Sequence, residues 1–164
     1  MKTKNILIPT DFSLATLNCV SGFLDKNPGQ KFRVTMVHFL QLSDSISELL
    51  MLSRRNRDYQ HIGSEFEAEI DKLRKGYASQ LESLHAEFFY GNTIAVFKNF
   101  LDHLEIDAIL MLHGHTYAKL TENSVDPQLM VQRSGCLVHT ISAPVKPVRV
   151  ERAIRVSRQE LVLL

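Results

Sequence analysis

The sequence has little of what marks most specialised chains. Lysine and arginine number 19 against 18 aspartates and glutamates over 164 residues, so it carries no basic field of the kind that holds nucleic acid. No apolar run reaches the roughly 20 residues that cross a bilayer as a helix. The chain enters an apolar strand within a few residues, which leaves no room for a signal peptide. Its two cysteines, Cys19 and Cys136, lie far apart and outside any metal-type or redox-type spacing; in an intracellular chain such residues act as small buried hydrophobes. Internal repeats and low-complexity segments are missing too. A cytoplasmic protein is expected, with no membrane and no nucleic acid as partner. What is there is ordinary globular composition, 45% hydrophobic and 23% charged, in a length that suits one full core and is short for two.

The organising stretch is Lys4-Asn5-Ile6-Leu7-Ile8-Pro9-Thr10-Asp11-Phe12-Ser13. Ile6, Leu7 and Ile8 suit a strand buried on both faces, and Pro9 ends its ladder because proline has no N–H to give. Asp11 and Ser13 then offer acceptors just before Leu14-Ala15-Thr16-Leu17, where a helix begins with free N–H groups. The turn between them lies at the carboxyl end of the strand, where open parallel sheets bind ligands. Asp11 is therefore the first candidate for function.

The rest alternates. A helix over Leu14 to Lys26 is followed by the Asn27-Pro28-Gly29 turn and a second strand over Phe32–Leu40. Ser43 or Asp44 can cap a helix carrying Ile46, Leu49, Leu50 and Met51. Ile62, Phe66, Ile70, Leu73, Tyr77, Leu81 and Leu84 recur in steps of four and three, which predicts one long helix with a solvated charged face. Glu87–Tyr90 reads as the third strand, ended by Gly91, and Asn92 or Thr93 caps a helix through Ile94, Phe97, Leu101 and Leu104. Asp107–Leu112 is the fourth strand, and His113 to Asn123 is turn and loop. Ser124 or Asp126 opens a short helix with Pro127 in its first turn. Gly135 ends it, and Cys136–Ile141 is the fifth strand. Apolar strands alternating with helices give a doubly wound parallel sheet, Rossmann-like, covered on both faces. Residues 1–142 form this domain. Residues 143–164, broken by Pro144 and Pro147 and rich in arginine, form an extension that packs on the same subunit or on a partner, because Leu161 to Leu164 must bury.

Several of these residues together resemble the universal stress protein family: Ile-Leu-Ile-Pro-Thr-Asp-Phe-Ser at residues 6–13, Asp-Ala-Ile-Leu-Met at 107–111, Gly91-Asn92-Thr93, and Asn123-Ser124-Val125. The resemblance covers about residues 1–142. It implies five parallel strands in the order 3-2-1-4-5 and a homodimer formed by pairing of the fifth strands, here Leu137, Val138, His139, Thr140 and Ile141. It also implies a choice between ATP binders and non-binders. Binders carry Gly-x-x-Gly after the fourth strand, then nine residues, then Gly-Ser or Gly-Thr, since glycines let the backbone approach phosphates. Here Leu112 stands at the first glycine, Gly114 serves as the second only in a loop one residue shorter, and Asn123 replaces the third. Asn123 suits the replacement because asparagine tolerates a left-handed backbone. The resemblance is thus to the non-binding type, with no cofactor, no enzymatic activity and an unnamed protein partner in stress response or signalling. The alternative is an ATP or AMP sensor in an altered pocket of Thr10, Asp11, His38, Gly114, Asn123 and Ser124.

The same rim carries the residues of two further chemistries. His38, His113 and His115 with Asp11 make a nominal zinc set, but alternate residues of an extended segment point opposite ways, so His113 and His115 do not converge. Ser13 or Ser124 with a histidine and Asp11 makes a nominal hydrolase triad, without the Gly-x-Ser-x-Gly elbow that such a nucleophile uses. The expected site carries neither metal nor catalysis.

Overall fold

The computed structural model describes residues 2–41, 62–91, 93–142, 159–160 and 162–163. β1 (Lys4–Pro9), α1 (Leu14–Lys26), β2 (Phe32–Leu40), α2 (Ser64–Gly76), β3 (Leu81–Tyr90), α3 (Ile94–His103), β4 (Ala108–His113), α4 (Gln128–Arg133) and β5 (Val138–Ser142) follow in order, with two-residue strands β6 (Gln159–Glu160) and β7 (Val162–Leu163) paired to each other. The sheet is β3-β2-β1-β4-β5, every pairing parallel. Leu17, Val20 and Leu24 of α1 and Phe66 and Ile70 of α2 cover one face. Phe97 and Leu101 of α3 and Met130 and Val131 of α4 cover the other. Ile6 and Ile8 serve the first layer and Leu7 the second, as the two-residue strand period requires.

One element differs from the sequence expectation, and the reason is physical. The helix predicted through Leu84 stops at Gly76, and β3 starts at Leu81, well before Glu87. Pairing with β2 runs Phe32 to Leu81 and then Arg33 to Ser83, so Glu82 is an extra residue at a bulge. The bulge resets the alternation and puts Leu81 and Leu84, three apart, into the same apolar layer. A spacing of three in a bulged strand mimics a helix.

Smaller shifts follow local chemistry. Thr93 is the cap of α3, its Oγ1 accepting from the Val96 N–H at 3.2 Å. α4 begins at Gln128 after Pro127, with Asp126 Oδ1 accepting from the Gln128 N–H at 3.0 Å. Ser124 belongs to no helix; it bridges to Leu40 at the end of β2. The expected helix around Ile46–Met51 and residues 143–158 of the extension lie outside the described residues.

Candidate functional site

Three elements meet at the carboxyl ends of β1 and β2. The turn Thr10–Ser13 leaves β1, His38 stands near the end of β2, and the segment 115–125 leads from β4 to α4. Thr10, Asp11, His38 and Ser124 are all buried. Burial of so many polar groups requires that they satisfy one another, and they do.

Asp11 accepts three hydrogen bonds: the Ser13 N–H at 3.1 Å on Oδ1, and the Ala118 N–H at 2.9 Å and His115 Nε2–H at 3.0 Å on Oδ2. Burial pushes its carboxyl upward, but the donors from Ala118, Ser13 and His115 outweigh it and hold the group below the usual carboxylate range. His38 is fixed from both sides. Its Nδ1 lies 2.8 Å from the Thr10 carbonyl, which can only accept, so that nitrogen carries the proton. Nε2, 2.8 Å from Ser124 Oγ, then accepts the serine hydroxyl. Ser124 Oγ in turn accepts the N–H groups of Leu120 at 3.0 Å and Thr121 at 3.1 Å. Backbone bonds from Gln41 to Asn123 and from Val125 to Phe39 clamp this segment to the end of β2.

Phe12 was not singled out by sequence. It takes a left-handed backbone (φ 61°), unusual for a bulky residue, and its ring lies 5.5 Å from His38, 5.4 Å from Phe66 and 5.4 Å from Phe88. The turn therefore spends strain to drive an aromatic ring under the crevice. Tyr117 meets His115 edge-on at 4.7 Å, and Leu120 packs on the core beneath. Burial pushes the Tyr117 phenol up to about 12. No sequence signal marked the loop 115–121 as a plug, since its polar residues read as solvent-facing.

Chemically the arrangement is closed. The Ser124–His38 contact has the form of an activated nucleophile, but both serine lone pairs already accept N–H groups, and both side chains are buried. His113 lies apart from His115, exposed beside a cleft of about 460 Å³. Among the described residues no group of three or more His, Cys, Asp or Glu could hold a metal ion.

Neither a protein-family model nor a curated protein sequence matches the chain. Solved structures do. Universal stress protein UspA from Lactobacillus plantarum is 18% identical, covers 86% of this chain and 99% of its own, and superposes with a TM-score of 0.54. A hypothetical protein known from its crystal structure is 12% identical over 87% and 99% of the two chains, also with a TM-score of 0.54. A universal stress protein family protein from Arabidopsis thaliana, crystallised with AMP bound, is 13% identical over 87% and 93%, with a TM-score of 0.49. The chain has the universal stress protein fold.

Within that fold the six nucleotide candidates divide. Thr10, Asp11, His38 and Ser124 come together, but around the chain's own loop. Gly114 is exposed at the turn out of β4 in a left-handed conformation (φ 72°), on the side of the α4 cleft. Asn123 does not use the left-handed backbone that would suit a glycine replacement: among the described non-glycine residues only Phe12 and Glu105 have positive φ. Leu112 points into the core, 5% exposed. The fifth-strand candidates are exposed apart from Ile141, and Leu137 precedes the strand rather than lying in it.

Proposed function

We propose that this is a non-catalytic module of stress response or signalling that works through protein contacts. One observation carries the reading: the crevice where such a fold would take a nucleotide is plugged by residues 115–121, whose backbone N–H groups and His115 occupy Asp11 and Ser124. A nucleotide would have to displace four partly buried hydrogen bonds and the Leu120 side chain before gaining any of its own. The surface left for recognition is the edge of β5, to which a second copy can add as an antiparallel strand.

Calorimetric titration with ATP, ADP and AMP, with and without magnesium, tests the first half. No heat at millimolar nucleotide is expected. Saturable binding that disappears in Asp11→Ala would make the protein an adenylate sensor instead. Sedimentation of β5 variants tests the second half.

A further inference from the structure

β5 pairs with β4 and, among the described residues, with no other strand. Its backbone dictates how a further strand would bond. The Ile109 N–H donates to the Leu137 carbonyl at 2.8 Å, so Leu137 turns its backbone groups towards β4. By the two-residue period His139 and Ile141 do the same, while Val138, Thr140 and Ser142 turn theirs outward. Side chains alternate between the two faces as well. Leu137, His139 and Ile141 line a groove of about 700 Å³ on the α1 side, and Val138 lines the cleft on the α4 side.

A second copy added antiparallel by a two-fold axis is tightly constrained. Opposite residues share a face, so the axis sets one residue against its own copy. Two registers use most of the strand. With Thr140 on the axis, all of Val138–Ser142 is paired, and the two His139 side chains are diagonal neighbours about 7–8 Å apart. With His139 on the axis, the two stand directly opposite at about 5 Å. Both registers bring the two imidazoles together on the α1 face. We propose that this contact is gated by protons through His139, two copies pairing at mildly alkaline pH and separating in mild acid. The inference rests on the reading of β5 as the contact edge and adds what regulates it.

Histidine is the side chain whose ordinary charge change falls between pH 5 and 8, and His139 is the one titratable residue between Val138 and Ser142. Neutral imidazoles can pack with Leu137 and Ile141 across the pairing. Charged ones repel each other and lose water on pairing. The surroundings add to that repulsion. Among the described residues, the charged groups on this groove are Lys4 from β1, Lys26 from α1 and Asp107 just before β4. Asp107 is a single carboxylate against two ammonium groups, and its Oδ2 already accepts the Asn5 N–H at 2.8 Å. Two like charges about 7 Å apart in a half-wetted site weaken association on the order of ten-fold.

The test is sedimentation of the full chain at pH 8 and pH 5.5 in low salt, with urea midpoints at both pH values to separate loss of association from loss of fold. The dissociation constant of the wild type is expected to rise on the order of ten-fold in acid, and that of His139→Gln by less than about three-fold. His139→Lys, charged at both pH values, is expected to associate weakly at both. A dimer equally tight at the two pH values overturns the inference and leaves the contact-edge reading intact. The full pH effect persisting in His139→Gln overturns it too, because another group would then carry the charge. A monomer at both pH values overturns the contact-edge reading and the inference with it.

Discussion

The crevice at the carboxyl ends of β1 and β2 and the outer side of β5 face opposite ways in chemistry. In the crevice, Asp11, His38 and Ser124 are buried and each is held by two or more partners from the same chain. Along β5 the side chains apart from Ile141 are exposed, and among the described residues the strand has no second neighbour. The other end of the sheet shows that such an edge need not stay bare. β3 presents Glu82, His85 and Glu87, has a bulge, and has its Leu84 carbonyl covered by the Arg74 guanidinium, with Nε at 2.9 Å. These are the devices that discourage strand addition. β5 has no Asp, Glu, Lys or Arg between Val138 and Ser142. The contrast is what supports the proposal that recognition belongs to β5 and that the crevice serves structure.

The largest expected effect is on the closed side. Ser124→Val deprives the Leu120 and Thr121 N–H groups of their acceptor and His38 Nε2 of its donor. Each orphaned buried group costs about 1–3 kcal/mol. A loss of about 3 kcal/mol in urea unfolding is expected, with association unchanged. A loss under about 1 kcal/mol would mean the crevice is not closed in solution.

Asp11→Asn comes next, with a loss of about 2 kcal/mol at neutral pH from the bonds that need a carboxylate. The sign of its pH dependence follows from the folded group titrating below its unfolded counterpart. The stabilisation is full above the unfolded carboxyl's range and fades as pH falls through the lower, folded value. The wild-type and Asn stability curves should therefore converge in acid, and curves that stay parallel would deny the carboxylate its role.

Tyr117→Phe should be smaller, within about 1 kcal/mol at pH 7, because the buried Tyr117 hydroxyl finds no hydrogen-bond partner of good geometry among the described residues. Its phenol, raised to about 12, stays protonated in the folded chain after the unfolded one has ionised. Stability is then lost as pH climbs from about 10 towards 12, and the Phe variant should lose less of it. A clear destabilisation at pH 7 would show that the hydroxyl is bonded after all.

The fold was legible because its central strands are apolar on both faces and the elements are separated by turn residues. Ile6–Ile8 and Ala108–Leu112 announce central parallel strands, and the helices between them are long enough to show their period. β3 was blurred because the bulge at Glu82 erased the two-residue alternation that identifies a strand. Of the site, Thr10, Asp11 and His38 were legible from their places at strand ends, and Ser124 from the resemblance at Asn123-Ser124-Val125. The occupant was not. Nothing in His115-Thr116-Tyr117-Ala118-Lys119-Leu120 has a period, and its decisive contacts come from backbone N–H groups that every residue but proline possesses.

The smallest effect on stability should accompany the largest effect on recognition. Thr140→Lys changes an exposed side chain in mid-strand, and exposed substitutions away from special features stay within about 0.5 kcal/mol. The same ammonium placed against an incoming strand must either be desolvated or push that strand away, so addition to β5 should fail whichever strand is added. Hydrogen exchange at residues 138–142 and the sedimentation profile both report this. Ser83→Lys in β3 is the matched control, since that edge already presents Glu82 and His85 and gains little from one more charge. If Thr140→Lys left exchange and association as they were while Ser83→Lys altered them, the two edges would have been assigned the wrong way round. Recognition would then belong to β3, and Arg74 on the Leu84 carbonyl would be a contact for a partner to displace.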